Sequence, residues 1–166
     1  MTPGRQVSKY DPVTTCTRES GTCQYCRDGC THKPGWFLPG EAEAAAEFMG
    51  MTLEEFFKAY LAVDWWQDTP DIFVLSPAVR GEEPGMEFPG DPHGTCVFYE
   101  GARCRIHPVK PAECRALWCG DKRPSDLHHD VAQAWAEYQE QIAGLLGREP
   151  QAKEYAGGGI FDWLGL

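Results

Sequence analysis

The sequence lacks any long run of apolar residues. The N-terminal stretch MTPGRQVSKYDPVTTC has no apolar core of the kind that a secretory signal peptide needs. No later segment approaches the roughly 18 apolar residues that a membrane-spanning helix requires. From these absences we expect a cytoplasmic protein with no membrane partner.

Positive charge is also scarce. The chain has 15 Lys and Arg residues against 25 Asp and Glu residues, a formal net charge of -10. Binding to nucleic acid or to an anionic membrane surface draws its affinity from Lys and Arg, so both are disfavoured. We interpret the acidity as a source of solubility, and we expect no nucleic-acid partner.

Familiar catalytic motifs are missing as well. We find no Ser-His-Asp pattern, no phosphate-binding glycine loop and no paired-carboxylate motif. His128 and His129 open a predicted helix, where we interpret them as solvated or capping residues. Whether the protein is an enzyme is therefore left open by these residues.

Cysteine, in contrast, is abundant. A chain of 166 residues can bury a core without crosslinks, and in a reducing cytoplasm clustered thiols are more often metal ligands than disulfides. We therefore predict that the cysteines are metal ligands. The predicted ligands are Cys16, Cys23, Cys26, Cys30, Cys96, Cys104, Cys114 and Cys119.

The first cysteine group has the spacing C-x2-C-x3-C at Cys23, Cys26 and Cys30, with Cys16 six intervening residues upstream. Two thiolates separated by two residues can face one metal from a tight turn, because the free amides of the turn stabilise their charge. This spacing is a strong metal signal. Whether Cys16 is a ligand or a spare thiol stays open.

The second group, from Cys96 to Cys119, has seven, nine and four residues between successive cysteines. A structural zinc site normally presents two close C-x2-C pairs, which this group does not contain. Thiolates that arrive singly from different elements better suit a cuboidal iron-sulfur cluster, so we favour [4Fe-4S] over zinc. Eight cysteines allow two sites, one in each group, or one site that both groups share.

The positive charge of the chain is concentrated beside the second group. Residues 102–123 hold six Lys or Arg residues against two acidic ones. We predict that Arg105 and Arg115 lie at the cofactor, where they would offset the charge of the thiolates. The alternative is that these two residues grip a carboxylate or phosphate substrate in a fork.

The predicted fold is mainly α with a small β-hairpin and an irregular, Pro-rich middle segment from Asp64 to Gly94. We expect an N-terminal arm at residues 1–15, a single metal-stabilised domain at 16–147 and a C-terminal tail at 148–166. The tail ends in GGGIFDWLGL, which we expect to dock on the domain itself or on a partner.

Individual elements follow from periodicity and from capping residues. PGEAEAAAEFMG and MTLEEFFKAYLAVDWW predict a helical hairpin, with Thr52 and Glu55 spaced as a capping box. DIFVLS predicts a strand, and TCVFYE with GARCRI predicts a hairpin that turns near Glu100 and Gly101. PAECRALWC predicts a short helix, and DLHHDVAQAWAEYQEQIAGLLG predicts one long helix that Gly147 ends.

The order CQYCRDGC, a helical TLEEFFKAYL and then GTCVFYEGARCRIHPVKPAECRALWC resembles the YkgJ family of cysteine-cluster proteins, described as a zinc- or iron-chelating domain. The match covers roughly residues 20–120. Gly29 stands where the family usually has the first of two adjacent cysteines, so Cys16 becomes the obvious substitute ligand. Lys110 and His107 also depart from the family's usual Arg and Tyr. The resemblance implies a metal or iron-sulfur cluster in a mostly helical fold.

From these observations we expect an iron-sulfur protein that acts in electron transfer or redox sensing with a redox partner protein. A flagellin lysine methylase looks like a distant relative of the family. This likeness supports an alternative, an enzyme that modifies a protein or a small molecule at a cluster-organised site. A second alternative is a zinc-stabilised interaction module.

Overall fold

The computed structural model describes residues 30–89, 93–101, 103–116 and 125–151. Within them helices combine with two small antiparallel two-stranded sheets, β1-β2 and β3-β4. The elements in chain order are α1 (Glu41–Phe48), α2 (Leu53–Tyr60), β1 (Leu61–Trp66), β2 (Thr69–Pro77), β3 (Tyr99–Glu100), β4 (Arg103–Cys104), a 3-10 helix (His107–Val109), α3 (Ala112–Ala116), α4 (Ser125–Trp135) and α5 (Gln139–Leu146).

The predicted pair of helices is confirmed by α1 and α2. Helix α1 ends before Gly50, whose φ of 72° lies in the left-handed region that favours glycine. Helix α2 begins after Thr52, whose hydroxyl accepts a hydrogen bond from the Glu55 amide at 3.2 Å. The Thr52 hydroxyl also donates to the Glu55 carboxylate at 3.0 Å. The two helices therefore meet through a tight, capped turn.

The expectation that the second helix continues through DWW is wrong. The helix ends at Tyr60, and β1 (Leu61–Trp66) follows without a loop. Leu61 pairs with Pro77 and Asp64 pairs with Val74, in an antiparallel register. A run of buried apolar residues has no clear period, so its sequence fits either a helix or a doubly buried strand. Antiparallel pairing with β2 selects the strand.

The strand predicted at DIFVLS is confirmed and is longer than expected, from Thr69 to Pro77. The β1-β2 hairpin is thus the larger sheet. The residues that follow β2 carry isolated bridges, Val63 with Glu87 and Val79 with Cys96. The expected irregular middle segment therefore begins only after this hairpin.

The second predicted hairpin is confirmed, with Tyr99 opposite Cys104 and Glu100 opposite Arg103. The short helix predicted after Pro111 is also confirmed, as α3. The single long C-terminal helix is wrong, because α4 ends at Trp135 and α5 begins at Gln139. Gly147 ends α5 as predicted, with a φ of 78°.

The side chain of Gln139 occupies the break between α4 and α5. Its Nε2 donates to the Trp135 carbonyl at 2.8 Å and to the Phe73 carbonyl at 2.9 Å, and its Oε1 accepts from the Phe73 amide at 2.9 Å. The glutamine thus pairs with the edge of β2 as a neighbouring strand would. This contact fixes α5 against the larger sheet.

Among the described residues, one buried apolar cluster draws on the larger sheet and on four of the five α-helices, and Tyr99 and Cys104 of the smaller sheet pack against it. Its largest fully buried apolar side chains are Trp36, Trp135, Phe37, Phe56, Phe57, Phe88, Phe98, Leu61, Leu75, Ile106 and Ile142. The predicted arm at 1–15 lies outside the described residues, and so does the tail beyond Gln151. In the described part of the chain, no helix has the length and apolar character needed to cross a membrane.

The start of the predicted tail is tied to the fold by Glu87. The side chain of Glu87 is buried, and its carboxylate accepts hydrogen bonds from the Arg148 guanidinium and from the Gln151 amide. Burial by itself raises the pKa of Glu87, but the Arg148 and Gln151 hydrogen bonds and the Arg148 charge outweigh it. The pKa of Glu87 therefore lies below its ordinary value.

Replacing Gln139 by Ala should destabilise the protein by about 1–3 kcal/mol, because the Phe73 backbone groups lose their partners in a buried position. Urea unfolding followed by circular dichroism would measure the loss. The matched control is Gln133→Ala on an exposed position of α4, which should change stability by less than about 0.5 kcal/mol. Equal effects of the two substitutions would contradict the role given to Gln139.

Replacing Glu87 by Gln should make the free energy of unfolding less dependent on pH. Because the folded pKa is lowered, the ionised carboxylate stabilises the fold above the unfolded value of roughly 4.3, and this contribution is lost as the pH falls through the folded pKa. Wild type should therefore exceed Glu87→Gln in unfolding free energy at pH 7 by more than it does at pH 3. The control substitution, Glu137→Gln in the exposed turn before α5, should leave the difference between the two pH values unchanged.

Candidate functional site

Four of the predicted ligands lie within the described residues, and each comes from a different part of the fold. Cys30 belongs to a helical turn at residues 30–32, and Cys96 forms an isolated β-bridge with Val79. Cys104 ends β4, and Cys114 lies in α3. Cys96 and Cys104 are free thiols.

The backbone of Cys96 joins these segments. Its amide donates to the Cys30 carbonyl at 2.7 Å, and its carbonyl accepts from the Tyr99 amide at 3.0 Å. The next amide, that of Val97, donates to the Ala78 carbonyl at 2.9 Å. Cys96 is therefore fixed between the residue 30 turn, the end of the larger sheet and the smaller hairpin.

The other three described cysteines affect the pKa of the Cys96 thiol. Cys96 is buried, and burial is the main reason why its pKa lies well above the ordinary value. The charges of Cys114, Cys30 and Cys104 raise the pKa of Cys96 further, while a backbone hydrogen bond at Phe98 opposes the shift. The other three described thiols thus lie close enough to Cys96 to act on it. Without a metal, such a thiol is protonated and unreactive.

Cys104 is buried to a smaller extent, and Lys110 supplies the positive charge that acts on it. Burial raises the pKa of Cys104, and both a backbone hydrogen bond at Ile106 and the Lys110 charge oppose the rise. Lys110 Nζ lies 3.4 Å from His107 Nδ1. The segment from 104 to 110 therefore contributes both a thiol and a nearby cation.

Arg105, predicted to lie at the cofactor, has its guanidinium carbon 5.4 Å from the centre of the Tyr60 ring. Its Nε lies 3.8 Å from the Glu100 carboxylate, and 40% of its side chain is exposed. These are surface contacts with an aromatic ring and an acid. Arg115 lies in α3, but its side chain lies outside the described part of the structure.

The remaining predicted ligands, Cys16, Cys23, Cys26 and Cys119, lie outside the described residues. Among the residues that the structure does describe, no group of three or more His, Cys, Asp or Glu side chains is arranged to hold a metal ion. The four described thiols are therefore neighbours that do not by themselves form a closed ligand set. Their all-thiol chemistry suits zinc or an iron-sulfur cluster.

A buried acid, Glu113, and a histidine, His128, form a pair beside Cys114 that no sequence motif indicated. Glu113 is fully buried, and its Oε2 lies 2.6 Å from His128 Nδ1. The imidazole stacks on Trp36 with ring centres 3.5 Å apart. The interpretation of His128 as a solvated or capping residue is therefore wrong. No local signal could have revealed the pair, because its members come from separate helices.

Trp36 connects Glu113 to a second buried carboxylate. The Trp36 amide donates to Glu113 Oε1 at 2.9 Å, and the indole Nε1 donates to Asp64 Oδ2 at 2.8 Å. The other oxygen of Asp64 accepts from the Trp65 amide at 2.8 Å. Trp36 thus forms hydrogen bonds to both β1 and α3.

Gly35 packs directly against the start of α3. A Cβ atom at this position would lie 2.8 Å from Glu113 Cβ and 2.9 Å from Cys114 Sγ. It would also lie 3.0 Å from the Cys114 amide nitrogen. Any larger residue at position 35 must therefore displace Cys114 or its helix.

Replacing Gly35 by Ala should destabilise the protein by about 1–3 kcal/mol, because the added methyl group overlaps Glu113 and Cys114. Thermal unfolding of metal-free protein would measure the change. Gly144→Ala is the matched control: nothing lies within 4 Å of the added Cβ in α5, so helix propensity should raise stability by up to about 1 kcal/mol. A neutral Gly35→Ala substitution would contradict this packing.

The candidate site is distinguished by the four described cysteines and by the buried pair of Glu113 and His128. The chain matches no protein-family model, and neither a curated protein nor a solved structure matches it.

Proposed function

We propose that this protein binds an iron-sulfur cluster through its cysteines and acts in electron transfer or redox sensing. The observation that carries the proposal is the electrostatic effect of the Cys30, Cys104 and Cys114 thiols on the buried Cys96, whose amide also donates to the Cys30 carbonyl. Thiols that come from four separate parts of a fold and act on one another indicate a common function. In a chain that can form its core from apolar residues, that task is ligation rather than crosslinking.

The directions from which the thiols arrive favour a cluster over a single ion. Cys30, Cys96, Cys104 and Cys114 are supplied by a turn, a bridge, a strand and a helix. A cuboidal cluster is larger than one ion and accepts thiolates from several sides, whereas zinc sites more often use close pairs. We propose [4Fe-4S], with the first cysteine group completing the ligand set.

The surroundings of the thiols suit a redox group. When bound, an iron-sulfur cluster supplies one-electron chemistry, and burial and nearby charge set its reduction potential. Here Phe98 and Ile106 are fully buried next to the thiol segments, and Lys110 acts on Cys104. The apolar residues exclude water, and the lysine offsets part of the thiolate charge.

The resemblance to the YkgJ family, a cytoplasmic location and a redox partner protein belong to the same proposal. The resemblance is carried by the segment from Cys96 to Cys119, in which the strand return and the short helix after Pro111 are both present up to Ala116. An acidic chain that exchanges electrons would meet its partner through its charged surface.

The direct test is the iron and acid-labile sulfide content of anaerobically purified protein. We expect a brown protein with iron and sulfide in equal amounts, and Cys96→Ser should lose most of both. Val79→Ala is the matched control, because it removes packing beside Cys96 but leaves every thiol in place.

Two outcomes would overturn the proposal. A colourless protein with stoichiometric zinc would replace it with the zinc-stabilised interaction module. Equal loss of iron in Val79→Ala and Cys96→Ser would show that Cys96 contributes packing and not ligation. Reversible bleaching by a mild reductant is the further result expected for electron transfer.

A further inference from the structure

The carboxylate of Glu113 is held on both of its oxygens inside the protein. Oε1 accepts from the Trp36 amide at 2.9 Å, and Oε2 contacts His128 Nδ1 at 2.6 Å. The side chain is 1% exposed. Burying a carboxylate costs free energy unless hydrogen bonds satisfy its oxygens. The presence of such a carboxylate beside Cys114 therefore indicates a role for Glu113 at this position.

The partners of Glu113 are themselves fixed. Trp36 is 1% exposed, and its indole is anchored to Asp64 at 2.8 Å. The His128 ring stacks on Trp36 and meets Trp66 edge-on, with ring centres 5.2 Å apart. Glu113 is therefore connected to α4 on one side and to the residue 36 segment on the other.

The next residue in the chain is Cys114, which has little room to move. Its Sγ would lie only 2.9 Å from a Cβ atom placed on Gly35. Its amide donates to the Pro111 carbonyl at 2.9 Å. Cys114 also exerts the strongest charge effect on Cys96 among the thiols. A shift of Glu113 would thus move a thiol that is central to the group.

We propose that Glu113 is a positioning residue for Cys114: by joining the Trp36 amide to His128, it fixes the start of α3 so that the Cys114 thiol stays packed against Gly35. The metal-dependent part of this inference rests on the proposed function, whereas the orientation of the thiol does not. A carboxylate and a thiolate are both hydrogen-bond acceptors, so Glu113 acts through the backbone and its two partners.

The structure offers a matched control in Glu87. Glu87 and Glu113 are both buried acids whose oxygens accept hydrogen bonds, but Glu87 bonds to Arg148 and Gln151 and is not next to a cysteine. Substitution of either acid removes a buried, satisfied carboxylate. A general loosening of the core should follow from both, and misplacement of Cys114 should follow from Glu113 alone.

The experiment compares Glu113→Ala with Glu87→Ala, and Glu113→Gln with Glu87→Gln in case the alanine variants do not fold. The first readout is the alkylation rate of each cysteine in metal-free protein, resolved by mass spectrometry. The second is affinity for Co²⁺, followed by the absorption that thiolate ligation produces. Because alkylation needs no metal, it tests the positioning of Cys114 even if the proposed function fails.

For Glu113→Ala we expect Cys114 alkylation to rise roughly tenfold, because a buried pair of hydrogen bonds is lost. Affinity for Co²⁺ should fall roughly 10- to 100-fold, the usual effect of removing a group that orients a ligand. Glu113→Gln should restore most of both, since its oxygen can accept from Trp36 and its amide can donate to His128 in the other tautomer.

The Glu87 variants should also lower the unfolding free energy but leave Cys114 alkylation and Co²⁺ affinity within about twofold of wild type, because they act away from the cysteine and its partners. If Glu87→Ala, or Glu87→Gln in the conservative pair, changes Cys114 as strongly as the corresponding Glu113 variant, the positioning role is refuted. Unchanged Cys114 reactivity in every Glu113 variant would refute it too. Wild-type protein that binds no Co²⁺ and contains no iron would refute the proposed function and leave the alkylation result to decide the inference.

Discussion

The described structure depends on Trp36, a residue held between two buried carboxylates. Its indole donates to Asp64 in β1, and its amide donates to Glu113 in α3. Each carboxylate needs donors because burial removes its hydration, and those donors exist only when the sheet, the residue 36 segment and α3 are all in place. His128 adds α4 to the same network. The arrangement is therefore cooperative: no one of these elements can satisfy its polar groups without the others.

This network lies directly behind the group of thiols. Cys114 follows Glu113 in α3, and Cys96 is buried, whereas Cys30, Cys104 and Cys114 are half-buried. Of the positive charges in this region, Lys110 acts on a described thiol, whereas Arg105 contacts Tyr60. Among the described residues, charge compensation near a thiol thus comes from the segment that connects the hairpin to α3. For the redox group that we propose, burial, the Ile106 backbone hydrogen bond and that lysine would set the reduction potential.

Short elements with strong end signals could be predicted from the sequence. The capped turn at Thr52 and the hairpin that brings Tyr99 opposite Cys104 follow from local rules and are present. The strand at Leu61–Trp66 could not be predicted, because an apolar run without a clear period fits a helix equally well. The break at Gln139 was missed for a related reason. Its cause is a side chain that bonds to a distant strand, and helical periodicity contains no information about such a contact.

The sequence by itself determined the number and spacing of the cysteines, the acidity of the chain and the concentration of its positive charge near the second cysteine group. These are properties of composition and order, so no fold is needed to read them. Only the tertiary structure decided that Cys30 lies beside Cys96 and that Glu113 and His128 form a buried pair on Trp36. The physical reason is that burial and hydrogen bonding across 15 to 77 residues depend on how the elements pack, and packing is a property of the whole chain.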